Sequence, residues 1–222
     1  MKNFIEKIIS KIKGDKFKFD DAISSSMLYQ LIINKIISII RAQKFLLKKT
    51  VSKLIFVGRN VSISNKVIIS KYTVIGDYTK IDGLGVKGVI IGRNCNIGAF
   101  CRIICSVNYR QAGDSIVIKD NVAIGEFSYV GGASKVVIGK DTIIGQYLSI
   151  HPENHIFQNK TIPIRMQGTT KKGINIGDNC WIGSKVTFTD GSSIGNRCVV
   201  GAGSVVTKKF PDNVLIVGSP AK

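Results

Sequence analysis

The chain has 222 residues, 44% of them hydrophobic, which is enough to bury one large core or two small ones. Its 23 Gly against 4 Pro exclude disorder, and five cysteines without a C-x-x-C pair exclude a disulfide framework and a structural zinc site, pointing to a reducing compartment. A formal net charge of +18 calls for a polyanion, a membrane or a phosphate-bearing ligand, yet no nucleic-acid motif accompanies it, so nucleic acid is not expected as a partner.

Positive charge is densest at the front, where residues 1–55 hold 12 Lys/Arg against 4 Asp/Glu. The run NFIEKIISKI, residues 3–12, sets Phe4, Ile5, Ile8, Ile9 and Ile12 on one helical face. Glu6, Lys7, Lys11 and Lys13 deny it the apolar core of a secretory peptide. The SSS at 24–26 predicts a cap for a second helix, MLYQLIINKIISIIRAQKFLLKK. One side of that helix carries Leu28, Ile32, Ile36, Ile39, Ile40 and Leu47, and the other Gln30, Asn34, Arg41, Lys44 and Lys48. Lys35 and Arg41 interrupt it short of the roughly 18 apolar residues a membrane span needs.

From about residue 55 the chain pulses in sixes. Val57, Ile63, Ile69, Ile75 and Ile81 are followed by Ile91, Ile97, Ile103, then Ile118, Ile124, Val130, then Ile138, Ile144, Ile150, and finally Ile176, Ile182, Phe188, Ile194, Val200 and Val206. Every one of these lead residues is Ile or Val except Phe188, and Gly commonly follows, as at Gly76, Gly92, Gly125 and Gly183. Alternation along a strand turns the lead and the residue two before it to the same side. The earlier slot is small at Val61, Thr73, Thr79, Ser128, Thr142, Val186, Ser192 and Ser204, and it also takes Cys95, Cys101, Cys180 and Cys198 as compact core groups. Only Cys105 falls outside it. Large beside small fills a narrow cornered interior, and the Gly is expected to relieve the backbone where it turns. Three short sides per coil make a triangular prism of about seven coils, on the order of 30 Å tall at ~4.8 Å per step.

The run NIGDNCWIGSKVTFTDGSSIGNRCVVGAGSVVTKKFPDNVLIVGSPAK resembles the hexapeptide-repeat acyltransferases, and the resemblance covers about residues 55–222. It implies a mainly β fold, a left-handed parallel β-helix, assembled as a homotrimer. The hand comes from the resemblance alone, since periodicity does not reveal it. Two units are expected: an N-terminal helical segment, 1–54, and the β-helix, 55–222. The helices would either cap the open end of the column or lie on an anionic membrane surface.

The rhythm stops between Ile150 and Ile176, in an extruded loop at about 151–174 that holds both histidines, His151 and His155. Excursions from a solenoid carry its chemistry. In the acetyltransferases that this sequence resembles, a loop histidine five residues after the last lead is the general base, here His155. Imidazole suits the task, with an ordinary pKa of roughly 6.5. Glu126 is the first candidate to orient it, with Asn154 and Glu153 behind. A backbone N–H near Gly183–Ser184 is the candidate oxyanion donor. His151 does not match the family's motif and is read as structural or as a substrate contact.

The same resemblance places acyl-CoA in a cleft between adjacent columns. Trp181 would lie by the thioester arm, Ser184 and Ala202 on the pantetheine, Thr207 and Lys208 near the adenine, and Lys209 and Lys222 within reach of phosphates. The implied activity is acetyl-CoA-dependent O-acetylation of a sugar or glycan hydroxyl in surface-polysaccharide synthesis. It would take place in the cytoplasm or on the inner face of the membrane, with no metal required. The alternatives are N-acetylation of a nucleotide-linked amino sugar and a non-catalytic β-helix scaffold. A zinc mechanism on this fold needs three histidines, and two are present. The segment EFSYVGGASK, before the loop, lacks the Asn and Asp of the maltose- and galactoside-type enzymes.

Overall fold

A computed structural model describes residues 2–13, 16–45, 51–105 and 112–222. From residue 51 onward the chain winds into a three-sided column of parallel strands. Face I has eight strands, from Phe56–Val57 to Leu215–Ile216. Face II has seven, from Ser62–Ile63 to Val205–Val206, and face III seven, from Val67–Ile69 to Lys209–Phe210. Seven complete coils result, as the repeat predicts. Lead residues pair directly with lead residues of the next coil: Val57 with Ile75, Ile63 with Ile81, Ile69 with Ile91.

All the leads are buried, none more than 6% exposed, and the residues two before them are buried with them. On face III the second slot is mostly aliphatic, holding Val67, Val89, Ile116, Val136 and Ile174, with Ser192 the small exception. The inner threonines and thiols are paired to the coil above, whereas the Ser128 and Ser192 hydroxyls donate within their own coil, to the carbonyls of Gly125 and Thr189. Thr73, Thr79 and Thr142 donate to the carbonyls of Gly92, Gly98 and Gly177 at 2.8, 2.9 and 3.1 Å. The Cys95, Cys101, Cys180 and Cys198 thiols donate to the carbonyls of Lys119, Gly125, Gly195 and Pro211 at 3.1–3.3 Å. Burial pushes the Cys95 thiol up to about 11, consistent with an inert core group. Cys105, outside the repeat slot, is equally buried and its thiol is also pushed up to about 11.

The glycine after the lead serves a purpose other than the expected one. At the corner between faces I and II, Gly76, Gly98, Gly125, Gly145 and Gly183 lie outside the left-handed region. A Cβ at Gly98 would stand 2.6 Å from Glu126 N, and one at Gly183 2.5 Å from Ala202 N, so the next coil leaves room for hydrogen alone. The left-handed turn is made two residues later by Tyr78, Phe100, Phe127 and Tyr147, with φ of 58°, 57°, 58° and 60°. Their rings stack along the corner at 5.1, 5.0 and 5.2 Å between centroids. At ~0.5–1.5 kcal/mol per pair, the stacking offsets much of the ~1–2 kcal/mol that a left-handed side chain costs.

At the N-terminus α1 spans Lys2–Lys13 and α2 spans Ser25–Ala42, followed by a 3-10 turn, Gln43–Phe45. Ser24 caps α2 by accepting from Met27 N at 3.2 Å, as the SSS run predicts. α2 is shorter than the sequence pattern, and Leu47 and Lys48 lie outside the described residues. The column's end is plugged by Ala42, Phe45, Val51 and Ile55, which join the core. α2 itself lies along the lowest strand of face I, with Lys35 Nζ 4.4 Å from the Phe56 ring centre.

Gly98→Ala is expected to cost about 2–3 kcal/mol, because backbone rather than a side chain must move. Phe127→Asn keeps a residue that tolerates the left-handed turn but removes two stacked pairs, and should cost about 1–3 kcal/mol. Denaturant unfolding of the two variants measures each separately.

Candidate active site

Each interruption of the six-residue rhythm, Ile81 to Ile91, Ile103 to Ile118, Val130 to Ile138 and Ile150 to Ile176, falls at the corner between faces II and III. The longest leaves after the strand Ser149–His151 and returns before Ile174–Ile176. Asn154–His155 and Thr169–Thr170 pair antiparallel at its neck, with His155 opposite Thr169. Beyond the neck Gln167 ties the arm together, donating from Nε2 to the carbonyls of Asn159 and Ile162 at 2.7 and 3.0 Å. At the tip Phe157, Ile164 and Met166 are exposed, so this ordered arm ends in a bare apolar surface.

The arm is clamped at its base from both neighbouring coils. Ser134 Oγ, one coil below, donates to Pro152 O at 2.9 Å. Asp190, one coil above and only 7% exposed, accepts from Thr170 Oγ1 at 2.9 Å, from Lys172 N at 2.7 Å and from Gly173 N at 3.0 Å. A carboxylate taking two amides and a hydroxyl is a strong anchor. Sequence reading missed Asp190, and the one available signal was an acidic side chain in a slot beside a lead residue, in TFTDGSS.

His155 is exposed, and among the described residues no side chain hydrogen-bonds its ring. Glu126, proposed to orient it, sits exposed at the corner between faces I and II, whereas the arm leaves from the corner between II and III. Face II separates them, so Glu126 does not orient the His155 of its own chain. Asn154 is exposed on the same neck. His151 is the partnered histidine: its Nε2 is 2.8 Å from Ser149 Oγ and its ring stacks on Tyr129 at 5.4 Å. Burial, and then the charge of Glu153, raise the Tyr129 hydroxyl above its ordinary value. Tyr129, Ser149, His151 and Glu153 thus make a polar cluster where the arm departs.

The residues expected to meet acyl-CoA divide between two corners. Trp181 stands on the outer side of face I, 58% exposed, between Ile143 and Val199. Ser184 and Ala202 stack at the corner of I and II, with Ser184 Oγ donating to Gln146 Oε1 at 2.9 Å. Of the two amides suggested for the oxyanion, Gly183 N–H is committed to Val200 O at 2.8 Å, and Ser184 N–H has no acceptor among the described residues. Thr207 and Lys208 lie across face II, at the II/III corner two coils above the arm, with Lys208 Nζ over the Phe210 ring at 5.3 Å. Lys209 and Lys222 are exposed. Within one chain, His155, Thr207 and Lys208 share one edge, and Trp181, Ser184 and Ala202 the other.

The triangular parallel column with an arm at one corner is a β-helix, of the left-handed class to which its structural neighbours belong. Residues 173–208 match the family model for the bacterial transferase hexapeptide of six repeats, and the chain is similar to the hexapeptide-repeat acyltransferases. It is 35% identical over 114 residues to "Putative lipopolysaccharide biosynthesis O-acetyl transferase WbbJ" of Escherichia coli, across 48% of this chain and 58% of that protein. It is 32% identical over 126 residues to "Probable acetyltransferase Rv3034c" of Mycobacterium tuberculosis, across 57% of this chain and 42% of that one. The chain thus spans about half the length of the curated relatives it matches. Among solved structures, a mutant of AntD, an N-acyltransferase from Bacillus cereus in complex with dTDP and Coenzyme A, superposes with a TM-score of 0.55 at 20% identity. That superposition covers 82% of this chain and 86% of that one, a likeness of fold.

Asp190→Ala should free the returning strand of the arm. Faster amide exchange over 169–173 and a loss of about 2–3 kcal/mol are expected, against a small change for Asp190→Asn, which still accepts from the two amides.

Proposed function

We propose that the protein transfers the acetyl group of acetyl-CoA to a hydroxyl of a sugar or glycan, as a homotrimer whose sites lie between neighbouring columns. The observation that carries this is a histidine on a rigidly anchored arm whose ring has no partner of its own. Similarity to a relative named as an O-acetyl transferase of lipopolysaccharide biosynthesis favours oxygen as the acceptor atom and surface polysaccharide as its setting.

The bond changes balance without a covalent enzyme intermediate. As the acceptor oxygen adds to the thioester carbonyl carbon, its proton passes to the His155 imidazole. Collapse of the tetrahedral adduct breaks the C–S bond, and the departing thiolate takes the proton back from His155. The free Ser184 N–H is the candidate donor to the oxyanion. Tyr129, Ser149 and His151, at the root of the arm, are the candidate acceptor contacts.

Two features support assembly between columns. The outer side of face I is apolar from Ile143 through Trp181 to Leu215, and the tip of the arm is apolar as well, so both have surface to bury. The edge bearing His155, Thr207 and Lys208 and the edge bearing Trp181, Ser184 and Ala202 would face one another across such an interface, and a ligand between them would touch both sets. Lys209 and Lys222 would then be available to the phosphates. Glu126 could orient only a neighbour's histidine.

Thiol release from acetyl-CoA, measured over a panel of sugars, nucleotide sugars, amino sugars and polysaccharides, tests the reading. His155→Ala is expected to lower turnover by about 10²–10⁴-fold with unchanged melting and oligomeric mass. A normal rate in that variant removes His155 from the mechanism. Preference for an amine over a hydroxyl would move the assignment to N-acetylation, and no thiol release with any acceptor would leave a scaffold.

A further inference from the structure

Both N-terminal helices are apolar on two sides, and only one side of each is used. On α2 the inner side lies on the column: Leu28 and Ala42 are buried, and Ile32 and Ile39 half-buried. Tyr29, Ile36 and Ile40, spaced i, i+7, i+11 and so in one line, are 62%, 51% and 62% exposed, with Ile36 at the rim of the groove against face I. Ile37 widens the stripe. On α1, Phe4 and Ile8 are likewise exposed, with Lys7 and Lys11 exposed beside them. An open groove of about 440 Å³ runs between α1, α2 and face I, lined by Ile5, Ile9, Leu31, Ile36, Phe56 and Val74 among others. Glu6 and Ser10 hold α1 in place by accepting from Phe19 N and Phe17 N, both at 2.9 Å.

The net charge of this segment is positive. Residues 1–55 carry 12 Lys/Arg and 4 Asp/Glu, and α2 has no acidic residue. Aliphatic and aromatic side chains with exposed lysines beside them, here Lys7 and Lys11, form the pattern of a helix that lies at a lipid–water boundary, with apolar groups among the acyl chains and cations at anionic headgroups. A second copy of the same face fits poorly, because it would bring two segments of net +8 together. No helix among the described residues is long and apolar enough to cross a membrane, so the fit is in the plane of the surface.

We infer that α1 and α2 dock the protein in plane on an anionic membrane surface, through Phe4, Ile8, Tyr29, Ile36 and Ile40 with Lys7 and Lys11 at the headgroups. The docking is independent of acyl transfer: a chain without activity would still bind, and an active chain could fail to.

Flotation of the full chain with vesicles of phosphatidylcholine alone, and of phosphatidylcholine with phosphatidylglycerol, tests it. The protein is expected to float with the anionic vesicles and to remain at the bottom with the neutral ones. Ile36→Ser with Ile40→Ser should weaken partitioning about a hundredfold. Lys7→Gln with Lys11→Gln should weaken it roughly 30-fold and flatten its salt dependence. Both pairs should leave the melting temperature and thiol release with a soluble acceptor unchanged. Equal flotation with both vesicle types, or flotation indifferent to both pairs, overturns the proposal. So does a fall in the mass measured by light scattering for the isoleucine pair, which would make the face a contact between copies.

Discussion

At each corner between faces I and II the backbone of the next coil lies where a Cβ would be. A Cβ at Gly98, Gly125 or Gly183 would come within 2.5–2.6 Å of the amide nitrogen above it. That closeness lets every lead residue sit on the lead residue of its neighbour, and it brings the inner threonines and thiols within reach of carbonyls one coil away. It also displaces the left-handed turn to the second residue after the glycine, where aromatic rings can stack outside. The interior stays narrow and dry, and the corner has no room for an insertion.

Insertions accordingly collect at the corner between faces II and III, and the arm that presents His155 is the largest of them. The column confers rigidity on this arm: Ser134 and Asp190, on the coils either side, hold its two ends. A solenoid can serve as a chemical scaffold in this way because each coil is fixed by its neighbours, so a loop anchored to two of them inherits their position. On the trimer proposal, the groups that would act together stand at two edges of one face and meet only across a neighbouring column. The apolar strip through Ile143, Trp181 and Leu215 and the bare tip of the arm then have a common explanation.

The N-terminal segment divides its work by helix side. Ala42, Phe45, Val51 and Ile55 close the prism, while α2 lies along face I and leaves a second apolar stripe exposed. On the membrane proposal, end-capping and docking, which compete when only the sequence is considered, fall to different residues.

The sequence by itself determined the column. The lead residues, the small or thiol-bearing slots and the position of the arm all follow from side-chain alternation and a six-residue period, which are local properties of a strand. The arm that carries His151 and His155 was legible because it lies where the period fails, while singling out His155 rests on the resemblance. The hand was not, since a period has none, and it rests on the likeness to known structures. Tertiary structure alone decided what depends on which coil stands above which. It showed that glycine serves close approach rather than turning, that Asp190 anchors the arm from 17 to 20 residues away, and that Glu126 and His155 lie at opposite edges of face II. Those relations are set by stacking between coils, and a one-dimensional period does not record the distance between corners.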